Sequence, residues 1–205
     1  YLSGEVDYAE IGANLLSPML SSYSDQIHPS RPDVSYSYWY LFNFDPGFDA
    51  EYEPDNWKIA VNNENFRLSI MHGLDRVNAM QVYDSANPEG LLNNTITPLS
   101  FASASQDYAY YGGLDKYTDG ETFDADLALE YKEKAMAELT EAGCTFPVKV
   151  LMRYNPTTTN WADECQLVEQ QLENLLGTDY IDVIVQAGPE TGFLSAVRHT
   201  GDYGL

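Results

Sequence analysis

From Ala128 to the end of the chain the sequence switches repeatedly between two hydrophobic periods, and that alternation leaves few folds open. Ala128, Tyr131, Ala135, Leu139 and Ala142 recur at helical spacing and stop at Gly143, a residue suited to the C′ position after a helix. Val148, Val150, Met152 and Tyr154 then alternate as a strand does. Trp161, Cys165, Val168, Leu172 and Leu175 return to the helical period, ended by Gly177. Ile181 to Val185 reads as a mostly apolar strand, Thr191 to His199 as a short helix, and Tyr203 to Leu205 as the opening of another strand. Elements that alternate in this way bury their apolar faces as an α/β layer with parallel strand neighbours. The expected fold class is therefore α/β, a mixed sheet flanked by helices.

The rest of the chain is less periodic. Gly4-Glu5-Val6-Asp7 leads into a short segment holding Ile11, Leu15, Leu16, Met19 and Leu20, and Ser21 to Asp33 reads as a polar surface loop. Val34 to Asn43 is dense in aromatic and β-branched residues, which predicts a strand partly buried on both faces. Asp45 to Asp55, with its prolines and acids, is expected to be a loop. Phe66, Ile70, Leu74 and Val77 fall on one helical face, with Asn62 or Asn63 as the N-cap. Ser85 to Gly120 reads as long connections around one or two short elements.

Charge excludes several classes of partner. There are 32 acidic residues against 10 basic ones, a net charge of -22, while 44% of the chain is hydrophobic. That much apolar material is incompatible with a disordered acidic tail. Nucleic acid and anionic membranes are disfavoured, because both attract Lys and Arg and repel a surface this acidic. No segment reaches the roughly 18 apolar residues of a spanning helix. With Tyr1 at its start, the chain is expected to be a mature piece or an excised domain. Cys144 and Cys165 make no disulfide framework, and Cys165 lies on a helical apolar stripe, which predicts a buried free thiol.

Motifs for catalysis and cofactors are missing. The chain has no Gly-x-Gly-x-x-Gly, phosphate loop, Gly-x-Ser-x-Gly or His-Glu-x-x-His pattern. His28, His72 and His199 have no ligand-spaced partners, so no metal is expected. Asp115 to Gly120 resembles the opening of a calcium loop but carries Tyr117 where an acid belongs, which favours a solvated acidic turn. A hydrolase acting on glycans needs two carboxyls about 5–10 Å apart, and no pair stands out from so many acids. The expectation is a protein that is not an enzyme and needs no cofactor.

One helix and its neighbours carry more information. Phe66-Arg67-Leu68-Ser69-Ile70-Met71-His72-Gly73-Leu74-Asp75-Arg76 resembles the V-R-x-A-L-x-x-A-I-D-R segment of the extracellular solute-binding proteins of family 5, the oligopeptide and dipeptide receptors of ABC importers. Gly4-Glu5-Val6-Asp7 is similar to their G-E-I-D, and Tyr38 to Asn43 to their aromatic strand ending in F-N. Thr97-Pro98 matches a Pro-containing loop, and Lys134 to Gly143 resembles their A-x-x-L-L-x-E-A-G helix. Phe193 to Tyr203 resembles an F-L-x-x-x-(R)-x-x-G-x-(F/Y)-D stretch, although Gly204 follows Tyr203 where the family often has Asp. These segments, in the family's order, run over essentially the whole chain.

The resemblance implies one lobe of a two-lobed periplasmic-binding-protein-like fold, with residues 1–205 as the second, ligand-binding lobe of a longer protein. It implies a peptide or other small solute held extended between the lobes, delivery to ABC permease subunits, a monomer, and a place outside the cell as a periplasmic protein or surface lipoprotein. The family's amine-binding Asp segment would follow Leu205, so residues 1–205 alone are expected to bind peptide weakly or not at all. Arg198 and His199 match an Arg–His pair near the peptide in some receptors, although a helix C-terminus also attracts cations. Tyr38 and Tyr40 are candidates to line the cleft, with one of them expected in the core, and Tyr154 and Asn155 are candidates at a strand end. Arg67, Asp75 and Arg76 are expected to be structural, in ion pairs. The same family fold also serves oligosaccharides, nickel complexes and haem. An aromatic cleft without opposed charges would favour sugar, and a charged one would favour peptide.

Overall fold

The computed structural model describes residues 1–28, 37–97, 101, 106–114 and 122–205. Thr97 is thus described but Pro98 is not, and the acidic turn Asp115 to Gly120, the loop beyond His28 and the start of the expected strand at Val34 lie outside the described residues. The helices, in chain order, are α1 (Ala13–Tyr23), α2 (Pro54–Asn62), α3 (Glu64–Gly73), α4 (Arg76–Met80), α5 (Tyr108–Tyr111), α6 (Ala125–Glu141) and α7 (Trp161–Leu176). Two strands, β1 (Val148–Tyr154) and β2 (Ile181–Ala187), flank α7 in sequence.

The chain divides into two compact units. The first joins Tyr1–Ser37 to Met80–Asp119. It holds α1, which carries Pro18 in its interior, a 3₁₀ turn at Pro88–Leu91, and α5, whose first turn is capped by the Asp107 carboxylate accepting from the Ala109 N–H at 3.0 Å. Ala109 is the one hydrophobic residue of this unit that is buried among the described residues. The described part of Ser85 to Gly120 thus contains two short elements, as expected.

The second unit, Tyr38–Ala79 with Gly120–Leu205, contains the core. β1 and β2 pair in parallel, in register from Val148 against Ile181 to Tyr154 against Ala187. The expected helices and strands over Ala125–Ala187 are all present, and both helix-ending glycines take positive φ, +80° at Gly143 and +88° at Gly177. α7 packs its stripe of Cys165, Val168 and Leu172 on the strands, and α3 packs against α6. Asn63, rather than Asn62, caps α3 by accepting from the Phe66 N–H at 2.8 Å. An aromatic chain runs through the centre: Trp57 to Phe66 at 6.0 Å, Phe66 to Tyr180 at 5.8 Å, and Tyr180 to Phe146 at 5.9 Å. The Tyr180 hydroxyl meets Ser69 Oγ at 3.0 Å, and Ser69 donates to the Phe66 carbonyl, so these two buried hydroxyls are satisfied. On β2 the Val183 N–H is taken by the Glu173 carboxylate at 2.8 Å, a side chain occupying a strand donor.

Several expectations are corrected. Residues 54–55 open α2 instead of closing a loop; α2 was hidden because Pro54 at its first turn reads as a breaker, although that position tolerates proline. The described part of the Val34–Asn43 run, residues 37–43, forms no strand and is not buried on both faces. Tyr38 is 90% exposed, and Trp39 and Leu41 are exposed too. A strand needs a ladder, and the backbone bond that this run makes to another segment is Asn43 N–H to the Gly204 carbonyl at 2.9 Å. Tyr203 to Leu205 likewise lies extended beside β1 without becoming a strand, through Gly204 N–H to the Leu151 carbonyl at 2.8 Å. The segment 191–199 forms a π-helical turn, Leu194–Arg198. Arg67 and Asp75 are structural, through other contacts than ion pairs: Arg67 donates to the Val61 carbonyl and covers the Phe44 ring, while Asp75 accepts from the Asn78 N–H in α4.

Asn43 ties three segments together. Its amide donates to the carbonyls of Gly201 (3.0 Å) and Tyr203 (2.7 Å), its side-chain oxygen accepts from the Asp45 N–H, and its backbone carbonyl accepts from the Trp57 indole N–H at 2.8 Å. Asn43→Ala leaves buried groups without partners, so it is expected to lower unfolding free energy by about 2–3 kcal/mol in guanidinium titration. A loss below about 1 kcal/mol would show that the clamp is dispensable.

Candidate ligand-binding site

At the carboxyl end of β1 the chain enters a tight turn. Asn155 Oδ1 accepts from the Thr157 N–H at 3.0 Å and its hydroxyl at 2.8 Å, and the Thr158 N–H returns to the Asn155 carbonyl. Asn160 takes φ +66°, a left-handed conformation that Asn tolerates, and this sets Trp161 as the first residue of α7. Asp163 and Glu164 in the first turn of α7 suit the positive end of its dipole. A second wall comes from after β2. Gly192 at φ +70° turns the chain into Phe193 and the Leu194–Arg198 turn. The rings of Trp161 and Phe193 pack at 5.2 Å, tilted by 57°. Phe193, Val197 and Tyr203 form a buried cluster against which Trp161 rests.

Between these walls lies an open cleft of about 410 Å³, lined by Tyr38, Asn155, Trp161 and residues 192–195. It stands just outside the end of a parallel strand, the place where α/β sheets hold ligands. None of these lining side chains carries a formal charge at neutral pH. Three charged groups on adjoining elements are engaged: Glu164 accepts from the Tyr40 hydroxyl, Arg198 stacks over Tyr203 at 4.4 Å, and Arg153 pairs with Asp202 at 2.8 Å.

Of the residues singled out in the sequence, Tyr38 and Asn155 meet in this cleft. Tyr40 is half-buried and held by Glu164, so neither tyrosine enters the core, contrary to the expectation for one of them. The segment that carries both is tied to the 201–204 segment at Asn43 and Gly47, which lie beyond the two rings. Tyr154 is half-buried, with its carbonyl accepting from the Gly188 N–H at 2.8 Å. Arg198 lies against Tyr203, and His199 is exposed with its backbone N–H given to the Leu194 carbonyl; neither lines the cleft. Sequence reasoning missed Trp161, Phe193 and Leu194 as lining residues. Trp161 had registered only as part of a helix stripe, and its place at the strand-to-helix junction was the usable signal.

The comparisons bear on what this cleft belongs to. Residues 1–205 match the profile of the bacterial extracellular solute-binding proteins, family 5 Middle. The chain belongs to this family. Over 151 residues it is 30% identical to the oligopeptide-binding protein SarA of Streptococcus gordonii, covering 65% of this chain and 22% of SarA. Over 146 residues it is 29% identical to the oligopeptide-binding protein AliA of Streptococcus pneumoniae, covering 63% of this chain and 22% of AliA. The chain thus spans only 22% of the length of either curated relative. A crystal structure of an oligopeptide ABC transporter substrate-binding domain from Bacillus anthracis shares the fold, with TM-score 0.61 at 16% identity over 100% of this chain and 35% of that one. The helix containing Arg67, the Phe42-Asn43 pair and the Phe193–Tyr203 stretch, which carried the resemblance to the family, are the segments that build the core, the clamp and the cleft wall.

Cys144 and Cys165 are both buried and free, Cys165 lying one turn into α7 beyond Trp161. Burial pushes the Cys165 thiol up from 9.0 to about 12, with Glu164 adding to the rise and Arg198 opposing it. Cys165 is therefore expected to resist iodoacetamide at pH 8.5 and to react once guanidinium unfolds the chain, as read by peptide mass mapping. The folded state holds this proton longer than the unfolded chain. The Cys165 contribution to stability is accordingly complete below about pH 9 and is lost between about pH 9 and about 12. Rapid alkylation of Cys165 in the folded protein would contradict this.

Proposed function

We propose that residues 1–205 form one lobe of the substrate-binding component of an ABC importer, which captures extended oligopeptides or dipeptides outside the cell and hands them to the permease. The observation that carries this reading is the cleft at the carboxyl end of β1, built on segments characteristic of a family of solute-binding proteins. The relatives named as oligopeptide-binding support peptide as the solute. In such a receptor an extended peptide offers the same backbone donors and acceptors whatever its sequence, and hydrogen bonds to that backbone give breadth of recognition. Ligand binding shifts a hinge equilibrium toward a closed form, and that form presents itself to the permease. The receptor acts as a monomer, either in a periplasm or as a lipoprotein at the cell surface. No helix among the described residues is long and apolar enough to cross a membrane.

Within this reading Tyr38 and Asn155 face the ligand directly, and Tyr40 and Tyr154 frame it. Arg198 and His199 serve a ligand carboxylate if Arg198 exchanges its contact with Tyr203 for a charged hydrogen bond, which is the stronger interaction in a closed site. A second reading is favoured by one observation. The cleft is aromatic and its lining uncharged at neutral pH, a setting suited to an oligosaccharide-binding member of the same family.

Native mass spectrometry on the native protein that carries residues 1–205, purified without denaturation, separates these readings. A set of adducts that fragment into amino acids is the expected result. Hexose-spaced adducts would move the assignment to oligosaccharide.

A further inference from the structure

The cleft beside β1 has a chemistry narrower than that of a general peptide groove. Resting on the reading that the ligand is a peptide, we infer that this cleft is a subsite for one large apolar side chain of that ligand, aromatic or branched aliphatic. Its floor is Phe193, only 5% exposed and backed by Val197 and Tyr203, and one wall is the half-buried Trp161. The rim is Leu194, 65% exposed, an apolar side chain set on a turn. Apolar surface gathered in one concave place is what a matching side chain removes from water.

Two rival occupants fit less well. A sugar ring stacks on a flat, exposed aromatic face. Here the two rings meet at 57°, and Phe193 is buried, so they form a notch rather than a platform. Hydroxyls would also need polar partners, and the polar side chains of the lining are few: the Tyr38 and Ser195 hydroxyls and the amide of Asn155, whose oxygen already accepts twice from Thr157. A charged side chain would lose hydration in the notch without meeting an opposite charge, since no charged side chain lines it. The notch is also held from behind. A Cβ at Gly188 would come within 2.6 Å of the Phe193 ring, so that glycine lets Phe193 lie as deep as it does. The cleft volume of about 410 Å³ lies within the range of small-ligand sites, about 300–1,000 Å³, so a large side chain has room.

The test uses calorimetry on the native protein carrying residues 1–205, with pentapeptides of one Ala-Gly host sequence. Phe, Leu, Ser or Lys is placed at each position in turn. The expected result is one position at which Phe or Leu binds about tenfold to a hundredfold more tightly than Ser, with Lys weakest. Trp161→Ala removes most of that preference, read as the ratio of Phe to Ser affinity at that position. Leu194→Ser, a change at an exposed side chain, reduces the same preference and carries the test if Trp161→Ala does not fold. Binding of the peptides with no apolar preference at any position, or a preference that survives both substitutions, overturns the subsite while leaving the peptide reading intact. Failure of every peptide to bind, with hexose oligomers bound instead, overturns both.

Discussion

The second unit depends on a hydrogen-bonded clamp with Asn43 at its centre. Three stretches distant in sequence meet there: the aromatic run ending at Asn43, the start of α2 through Trp57, and the terminal segment from Gly201 to Gly204. No apolar residue substitutes for this, because buried backbone carbonyls need donors and an amide side chain offers two from one atom. The clamp also demands close backbone approach. A Cβ at Gly47 would lie 2.0 Å from the Thr200 carbonyl, and the Gly47 N–H meets the Gly201 carbonyl at 2.8 Å. Gly201 itself takes φ +74°, so glycine is required on both sides of the contact.

Once the clamp places the terminal segment beside β1, the position of the cleft follows. Gly204 bonds to Leu151 in the middle of β1, and the preceding Asp202 reaches Arg153 near its end, where Gln186 of β2 and the Tyr52 ring also meet the guanidinium. This network fixes the Leu194–Arg198 turn against the end of the strand and so brings Phe193 to Trp161. The ion pair within it is largely buried, where a broken partner costs more than at the surface. By contrast, exposed pairs such as Lys134 with Glu130 add little, and most of the acidic excess is a solvated face.

The C-terminal part of the fold was legible because its helices and strands are amphipathic on their own. Trp161 to Leu176 and Ala125 to Glu141 carry both period and stop signals, and the structure places the elements where those signals fall. The misses share a cause. Val34 to Asn43 has the residue preferences of a strand, yet its described part forms none and leaves Tyr38, Trp39 and Leu41 exposed, because propensity records side-chain fit to a pleated surface rather than the presence of a neighbour. α2 was overlooked because a proline at the first turn of a helix and a proline in a loop look alike in a sequence. Asn155 and Tyr38 are candidates in the sequence and line the cleft, whereas Trp161 and Phe193 read there as ordinary apolar residues. Which apolar residues face a cleft instead of a core is set by elements folding against each other.

The sequence by itself determined the α/β class, the parallel pairing expected of β1 and β2, the caps at Asn63, Gly143 and Gly177, the buried state of Cys165 and, through ordered segments, the family. These rest on local periodicity and on backbone preferences that a few residues carry within themselves. Only the tertiary structure decided that Asn43 is a clamp, that Tyr38 is exposed, that Arg198 lies over Tyr203, and that Trp161 and Phe193 enclose a cleft. Each of those is a contact between residues far apart along the chain, and hydrophobic period and turn chemistry carry no information about such distances until the core has closed.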